Sequence, residues 1–148
     1  MEDKLAEFIV KAKKATYASN QKARKLEDGT EEFVFQEGDY KYVDRYKGSK
    51  QFSGQENVFL LGILFWRMNY EGRVIDNINK DLIYGFLKKA LFKVNKDKPF
   101  RGPLKFKENS LEYFNEVEGS IGLFKGKEKI LYKGKVVYKL SYDGGRIN

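Results

Sequence analysis

Trp66, Arg67, Asn69 and Tyr70 place an indole, a guanidinium, an amide and a phenol within five residues. On an extended strand alternate residues share a face. Arg67 and Asn69 then continue the apolar face of Ile63 and Phe65, with Glu56 beside them from the neighbouring strand. An apolar wall with three polar groups at one end suits a small-molecule pocket. Trp66 and Tyr70 fall on the opposite face with Phe59, Leu64 and Met68, which reads as core. A second group is Asp44-Arg45-Tyr46 with Glu56. A third is Arg101, held between Pro99 and Pro103, where a planar guanidinium could clamp an anion. The candidate ligand-binding residues are therefore Glu56, Trp66, Arg67, Asn69, Tyr70 and Arg101.

The chain of 148 residues contains no cysteine and no histidine. That removes disulfides, thiol nucleophiles, imidazole bases and ordinary zinc sites together. A phosphate-binding Gly-x-x-x-x-Gly-Lys-Ser/Thr loop is absent, since Gly122 to Lys127 lacks both the spacing and the hydroxyl. Serine, lysine, tyrosine and carboxylates could in principle transfer protons, but no convergent set stands out. A binding role is expected ahead of an enzymatic one, with no catalytic residue, no metal and no cofactor. The partner is expected to be a small molecule or a peptide-like protein segment. A net charge of +8 opens an alternative, sequence-independent nucleic-acid binding through Lys125, Lys127, Lys129, Lys133 and Lys135. Such binding is expected to be weak, because no base-reading motif is present. No run of 18 apolar residues or signal peptide occurs, so a soluble cytoplasmic protein without membrane contact is expected.

The elements that position these residues are organised around a repeat. Phe52 to Gly72 lies on Phe124 to Gly144 without a gap after a shift of 72 residues. Six positions are identical, among them Gly54/Gly126, Glu56/Glu128, Gly62/Gly134 and Tyr70/Tyr142. Each copy reads as a hairpin turning at Leu61-Gly62 or Lys133-Gly134, because glycine takes the positive φ of a tight turn at little cost. A regular two-residue turn pairs Glu56 with Arg67, and Glu128 with Lys139. Asp3 to Thr16 has the apolar spacing of a helix, and so does Asn77 to Val94, with Asn79 or Asp81 as its cap. Short strands are expected at 33–35, 40–46, 104–107 and 111–117, and 21–30 reads as a charged loop. The expected fold is α+β: two tandem repeats of a helix followed by about four antiparallel strands, forming a curved sheet or half-barrel packed on two helices. Residues 1–148 then form a single domain of two repeats, 1–72 and 78–148.

Five stretches together carry a family resemblance: Thr16-Tyr17-Ala18, Tyr42-Val43-Asp44-Arg45-Tyr46, Phe52-Ser53-Gly54-Gln55-Glu56, Trp66-Arg67-Met68-Asn69-Tyr70-Glu71-Gly72 and Phe100-Arg101-Gly102-Pro103. The chain resembles the prokaryotic domain-of-unknown-function family numbered 5680, found alone or fused behind a helix-turn-helix regulator segment. The resemblance implies the effector or interaction half of a regulator. With no room for such a segment before the first helix, the chain resembles the free-standing form. The family brings no activity, cofactor or catalytic residue to carry over.

Overall fold

The computed structural model describes residues 2–19, 21–75 and 79–148. Helix α1 (Glu2–Ala15) buries Leu5, Phe8, Ile9 and Ala12, and its acidic first turn and basic last turn complement the helix dipole. Strands β1 (Arg24–Lys25), β2 (Glu31–Glu37), β3 (Tyr40–Gly48), β4 (Gln51–Leu60) and β5 (Ile63–Val74) follow. Helix α2 (Lys80–Leu91) is capped by Asn79, whose side chain accepts from the Asp81 N–H at 2.8 Å. The expected start of this helix at Asn77 lies outside the described residues. Strands β6 (Lys105–Glu108), β7 (Leu111–Ser120), β8 (Leu123–Tyr132) and β9 (Lys135–Arg146) complete the chain.

The expected pair of tandem helix-plus-strand repeats is not the architecture. Among the described residues nine strands form one antiparallel sheet in the order β1-β2-β3-β4-β5-β9-β8-β7-β6. Five strands precede α2 and four follow it. The joint is β5 against β9, from Trp66 opposite Arg146 to Val74 opposite Tyr138. Each hairpin's second strand would otherwise expose a row of unpaired N–H and C=O groups, and pairing them with each other removes both edges. Alternation within one hairpin gives no sign of that pairing.

Both helices cover one face, here the inner face. Phe8 of α1 stacks on Tyr40 with ring centres 5.0 Å apart, and Phe86 of α2 stacks on Phe106 at 5.4 Å. Between them a single core runs across the sheet and includes Val58, Trp66, Met68, Tyr113, Ile130 and Tyr138. Among the described residues no helix is long and apolar enough to cross a membrane.

Both hairpins turn where expected. Leu61 and Gly62 have φ of 52° and 79°, and Lys133 and Gly134 have 49° and 81°, the double positive φ of a type I′ turn. The register beyond the turns departs from expectation. A bulge between Val58 and Phe59 leaves Phe65 as the extra residue, and a second between Ile130 and Leu131 does the same for Val137. Glu56 therefore faces Met68, and Glu128 faces Leu140; the Glu56–Arg67 and Glu128–Lys139 pairs do not form. The bulge lets Val58 and Trp66 bury on the same side, where both are fully covered. A regular hairpin would send one of them outward.

Candidate functional site

The same one-residue slip carries Glu56 into the protein. Glu56 lies opposite Asp44 on β3, and both carboxyls sit on the inner face, 3% and 2% exposed. Lys13 reaches them from α1. It occupies the apolar stripe four residues after Ile9, so the sheet buries it. Its ammonium lies 3.0 Å from Glu56 Oε1 and donates to Oε2 at 3.3 Å and to the Phe100 carbonyl.

Arg101 enters from the connector between α2 and β6. Its expected anion is a carboxylate of the protein itself: Nε and Nη2 donate to Glu128 Oε1 at 3.1 and 2.5 Å. Tyr138 donates to the same oxygen at 2.9 Å, and Tyr113 donates to Oε2. The guanidinium carbon also lies 6.0 Å from the Tyr17 ring centre and 5.7 Å from that of Tyr70, within cation–π range.

Gly54 makes room for Tyr70. A Cβ on Gly54 would come within 2.4 Å of the Tyr70 phenol, so only glycine lets the ring cross β4. The Tyr70 hydroxyl then donates to Asp44 Oδ1 at 2.6 Å. Gly126 does the same for Tyr142, whose hydroxyl donates to Asn115 Oδ1 at 2.8 Å.

Around this centre lie two basic and three acidic buried side chains. Lys13 pairs with Glu56 and Arg101 with Glu128, while Asp44 joins no ion pair among the described residues. Burial, followed by the Glu56 carboxylate, pushes the Asp44 carboxyl up to about 7, against the Tyr70 hydrogen bond and the Lys13 and Arg101 charges. Burial pushes the Lys13 ammonium down, opposed by Glu56. Burial also disfavours the Arg101 charge, but Glu128 overrides it and keeps the guanidinium protonated. Tyr113, Tyr138 and Tyr70 are all raised, by burial first and then by adjacent carboxylates, so their hydroxyls stay protonated and donate.

A cavity of about 240 Å³ opens onto Asp44 and Arg101. Its walls are the rings of Tyr17, Tyr46, Phe52, Tyr70 and Tyr84, with Glu31 and Lys88 also lining it. Tyr84, one of these walls, donates to the carbonyl of Ser49, which also lines the cavity. Two larger depressions, of about 730 and 950 Å³, lie over the outer face among exposed residues such as Ser53, Glu71, Lys127 and Ser141.

The expected site residues are thus divided. Glu56, Tyr70 and Arg101 come together inside. Arg67 and Asn69 point outward, where Arg67 Nε donates to Asn57 Oδ1 at 2.7 Å and Asn69 accepts from Gln55 at 2.7 Å. Trp66 is core: it stacks on Phe124 at 5.6 Å, and its Nε1 donates to the Ile121 carbonyl at 3.0 Å. The pocket expected beside Arg67, Asn69 and Glu56 does not form, because the bulge turns Glu56 to the other face. Lys13, Glu128 and Tyr84 join the inner cluster without having been singled out for it. The signal for Lys13 was its i+4 spacing from Ile9, and for Glu128 its alignment with Glu56.

The model of the domain of unknown function DUF5680 matches residues 44–147. No curated protein and no solved structure matches the chain. The matched span begins at Asp44 and takes in Glu56, Tyr70, Arg101 and Glu128, so most of the buried cluster lies inside it. The chain belongs to the DUF5680 family of domains of unknown function.

Proposed function

We propose that this protein is a small-molecule-binding domain whose ligand sits in the inner cavity, beneath α2 and against β3, β4 and β5. The observation behind this reading is the cavity of about 240 Å³ with five aromatic walls and two buried charged groups at its lining, Asp44 and Arg101. An apolar enclosure with a few fixed polar groups is what a small-ligand site needs. A regulatory role of the kind the family resemblance implies would report cavity occupancy through α2, which supplies Tyr84 and Lys88. The test is a fragment screen by NMR on labelled protein. Binders should shift Tyr46, Phe52 and Tyr84, and Phe52→Trp, which fills the cavity, should abolish those shifts while the fold remains. Binders that perturb only outer-face residues would overturn the reading.

A second reading, weak nucleic-acid binding, is favoured by a row of cations on the outer face. Arg73, Lys139 and Lys129 face one another across β5, β9 and β8, and Phe114 and Lys105 continue the row on β7 and β6. None of these four cations joins an ion pair among the described residues, whereas Lys125 and Lys127 approach Glu118 and Glu116. Fluorescence anisotropy with single-stranded and duplex oligonucleotides tests it. No binding at ~50 mM salt, where electrostatic association is strong, removes this reading.

A further inference from the structure

Building on the cavity reading, we infer that the ligand is a small organic cation, an amine or quaternary ammonium compound of about one ring in size. Its charge lies against Asp44 and its body against Tyr46, Phe52 and Tyr84.

Three observations point this way. The first is charge. The two buried basic groups are already matched, Lys13 by Glu56 and Arg101 by Glu128, and the carboxyl left over is the one lining the cavity. The Arg101 charge is already offset, because its Nε and Nη2 both donate to Glu128 and its faces lie near Tyr17 and Tyr70. Glu31 and Lys88, the remaining charged groups of the lining, cancel.

The second is that packing does not require an acid at position 44. Asn115 meets Tyr142 over Gly126 as Asp44 meets Tyr70 over Gly54, and there a neutral amide accepts the same phenol hydrogen bond. An ionisable carboxyl where an amide would satisfy the geometry adds a buried charge with no structural return.

The third is the walls. Aromatic faces attract cations, most strongly in a desolvated enclosure. Two of the five rings already flank a guanidinium, and Tyr46, Phe52 and Tyr84 are left for a ligand.

Binding a cation against Asp44 requires the carboxylate form, so association is coupled to loss of a proton. The groups facing Asp44 are Lys13 from α1, Tyr17 from the turn after it, Glu31 from β2, Tyr42 and Tyr46 on β3, Glu56 from β4, Tyr70 from β5, Tyr84 and Lys88 from α2, and Arg101 from the connector. Burial and Glu56 together hold Asp44 at about 7. Affinity for a permanent cation should therefore rise with pH and level off above that value.

The experiment uses three probes of one ring each: benzyltrimethylammonium, benzyl alcohol and benzoate, titrated by NMR at pH 6 and pH 8. Benzyltrimethylammonium should shift Tyr46, Phe52 and Tyr84 and bind about tenfold more tightly at pH 8, as one displaced proton demands. Asp44→Asn should remove both the pH dependence and most of the affinity. If benzyl alcohol or benzoate binds in the cavity as well as the cation does, and without that pH dependence, the inference is overturned and the cavity reading stands. If none of the three perturbs the cavity residues, both fall. The pH comparison on the unaltered protein decides the matter even if Asp44→Asn proves unstable.

Discussion

The Tyr70 hydroxyl lies 2.6 Å from Asp44 Oδ1, in a region where neither side chain is more than 7% exposed. Asp44 is more readily protonated in the folded chain than in the unfolded one, about 7 against 3.8. An acid raised on folding stabilises the fold fully below its unfolded value, and that contribution is lost as pH rises through the folded value. Urea unfolding of the native protein should thus show stability falling from about pH 4 to about pH 7 relative to Asp44→Asn, by on the order of 2–4 kcal/mol. The comparison between the two proteins isolates Asp44 from other titrating groups. Parallel curves would mean that Asp44 titrates normally.

The two buried ion pairs predict a sharp contrast with the exposed ones. Glu128→Ala leaves Arg101 buried without a partner and takes the acceptor from Tyr113 and Tyr138. Removing one member of a buried pair costs about 3–5 kcal/mol. Glu108→Ala, which releases the exposed Lys89 from a 2.7 Å contact, should cost less than about 1 kcal/mol. Thermal unfolding of both variants checks this, and similar losses would refute the assignment of Glu128 as the counter-charge of Arg101.

Glycine substitutions should differ in sign. Gly54→Ala sets a methyl 2.4 Å from the Tyr70 phenol and 2.7 Å from Tyr46 Cβ. Overpacking of this kind costs about 1–3 kcal/mol, and it should also shift the Tyr70 resonances away from their Asp44-bonded positions. Gly85 lies within α2 with nothing inside 4 Å of an added Cβ. Gly85→Ala should stabilise by about 0.5–1 kcal/mol, the helix-interior difference between the two residues. Chemical denaturation of the pair is sufficient.

Much of this arrangement was readable in the sequence, and the failures share one cause. Helical spacing marked both helices, and Leu61-Gly62 and Lys133-Gly134 marked both turns. Leu61 and Lys133 are not glycine, yet they adopt φ near 50° because type I′ geometry follows the strand twist. The bulges after Val58 and Ile130 left no local signature. They arise because Val58 and Trp66 must bury on one side, a demand of the core that no window of the hairpin records. Since side chains alternate with period two, that single extra residue changed which face Glu56 occupies. It thereby took Glu56 from the Arg67–Asn69 face to the one holding Asp44 and Arg101. The pairing of β5 with β9 was equally hidden, because an edge strand does not encode its partner 72 residues away.

The outer face supplies a prediction in which stability and binding move in opposite directions. Lys139 on β9 faces Arg73 on β5 and Lys129 on β8, so three like charges stand side by side on adjacent strands. Strands in a sheet are about 4.8 Å apart, and like charges directly opposite destabilise a sheet while opposite charges contribute about 0.2–1 kcal/mol per pair. Lys139→Glu converts both repulsive contacts into attractive ones. The variant should be more stable than the native protein at low salt, by about 0.5–2 kcal/mol over the two contacts, with the gain shrinking as salt is added. A row of three cations that joins no ion pair among the described residues has a reason to be kept despite that cost if it meets phosphates. In that case Lys139→Glu also weakens oligonucleotide binding and lowers its salt dependence, because fewer phosphate contacts release fewer counterions. Gained stability together with unchanged oligonucleotide affinity would show that the row does not contact nucleic acid.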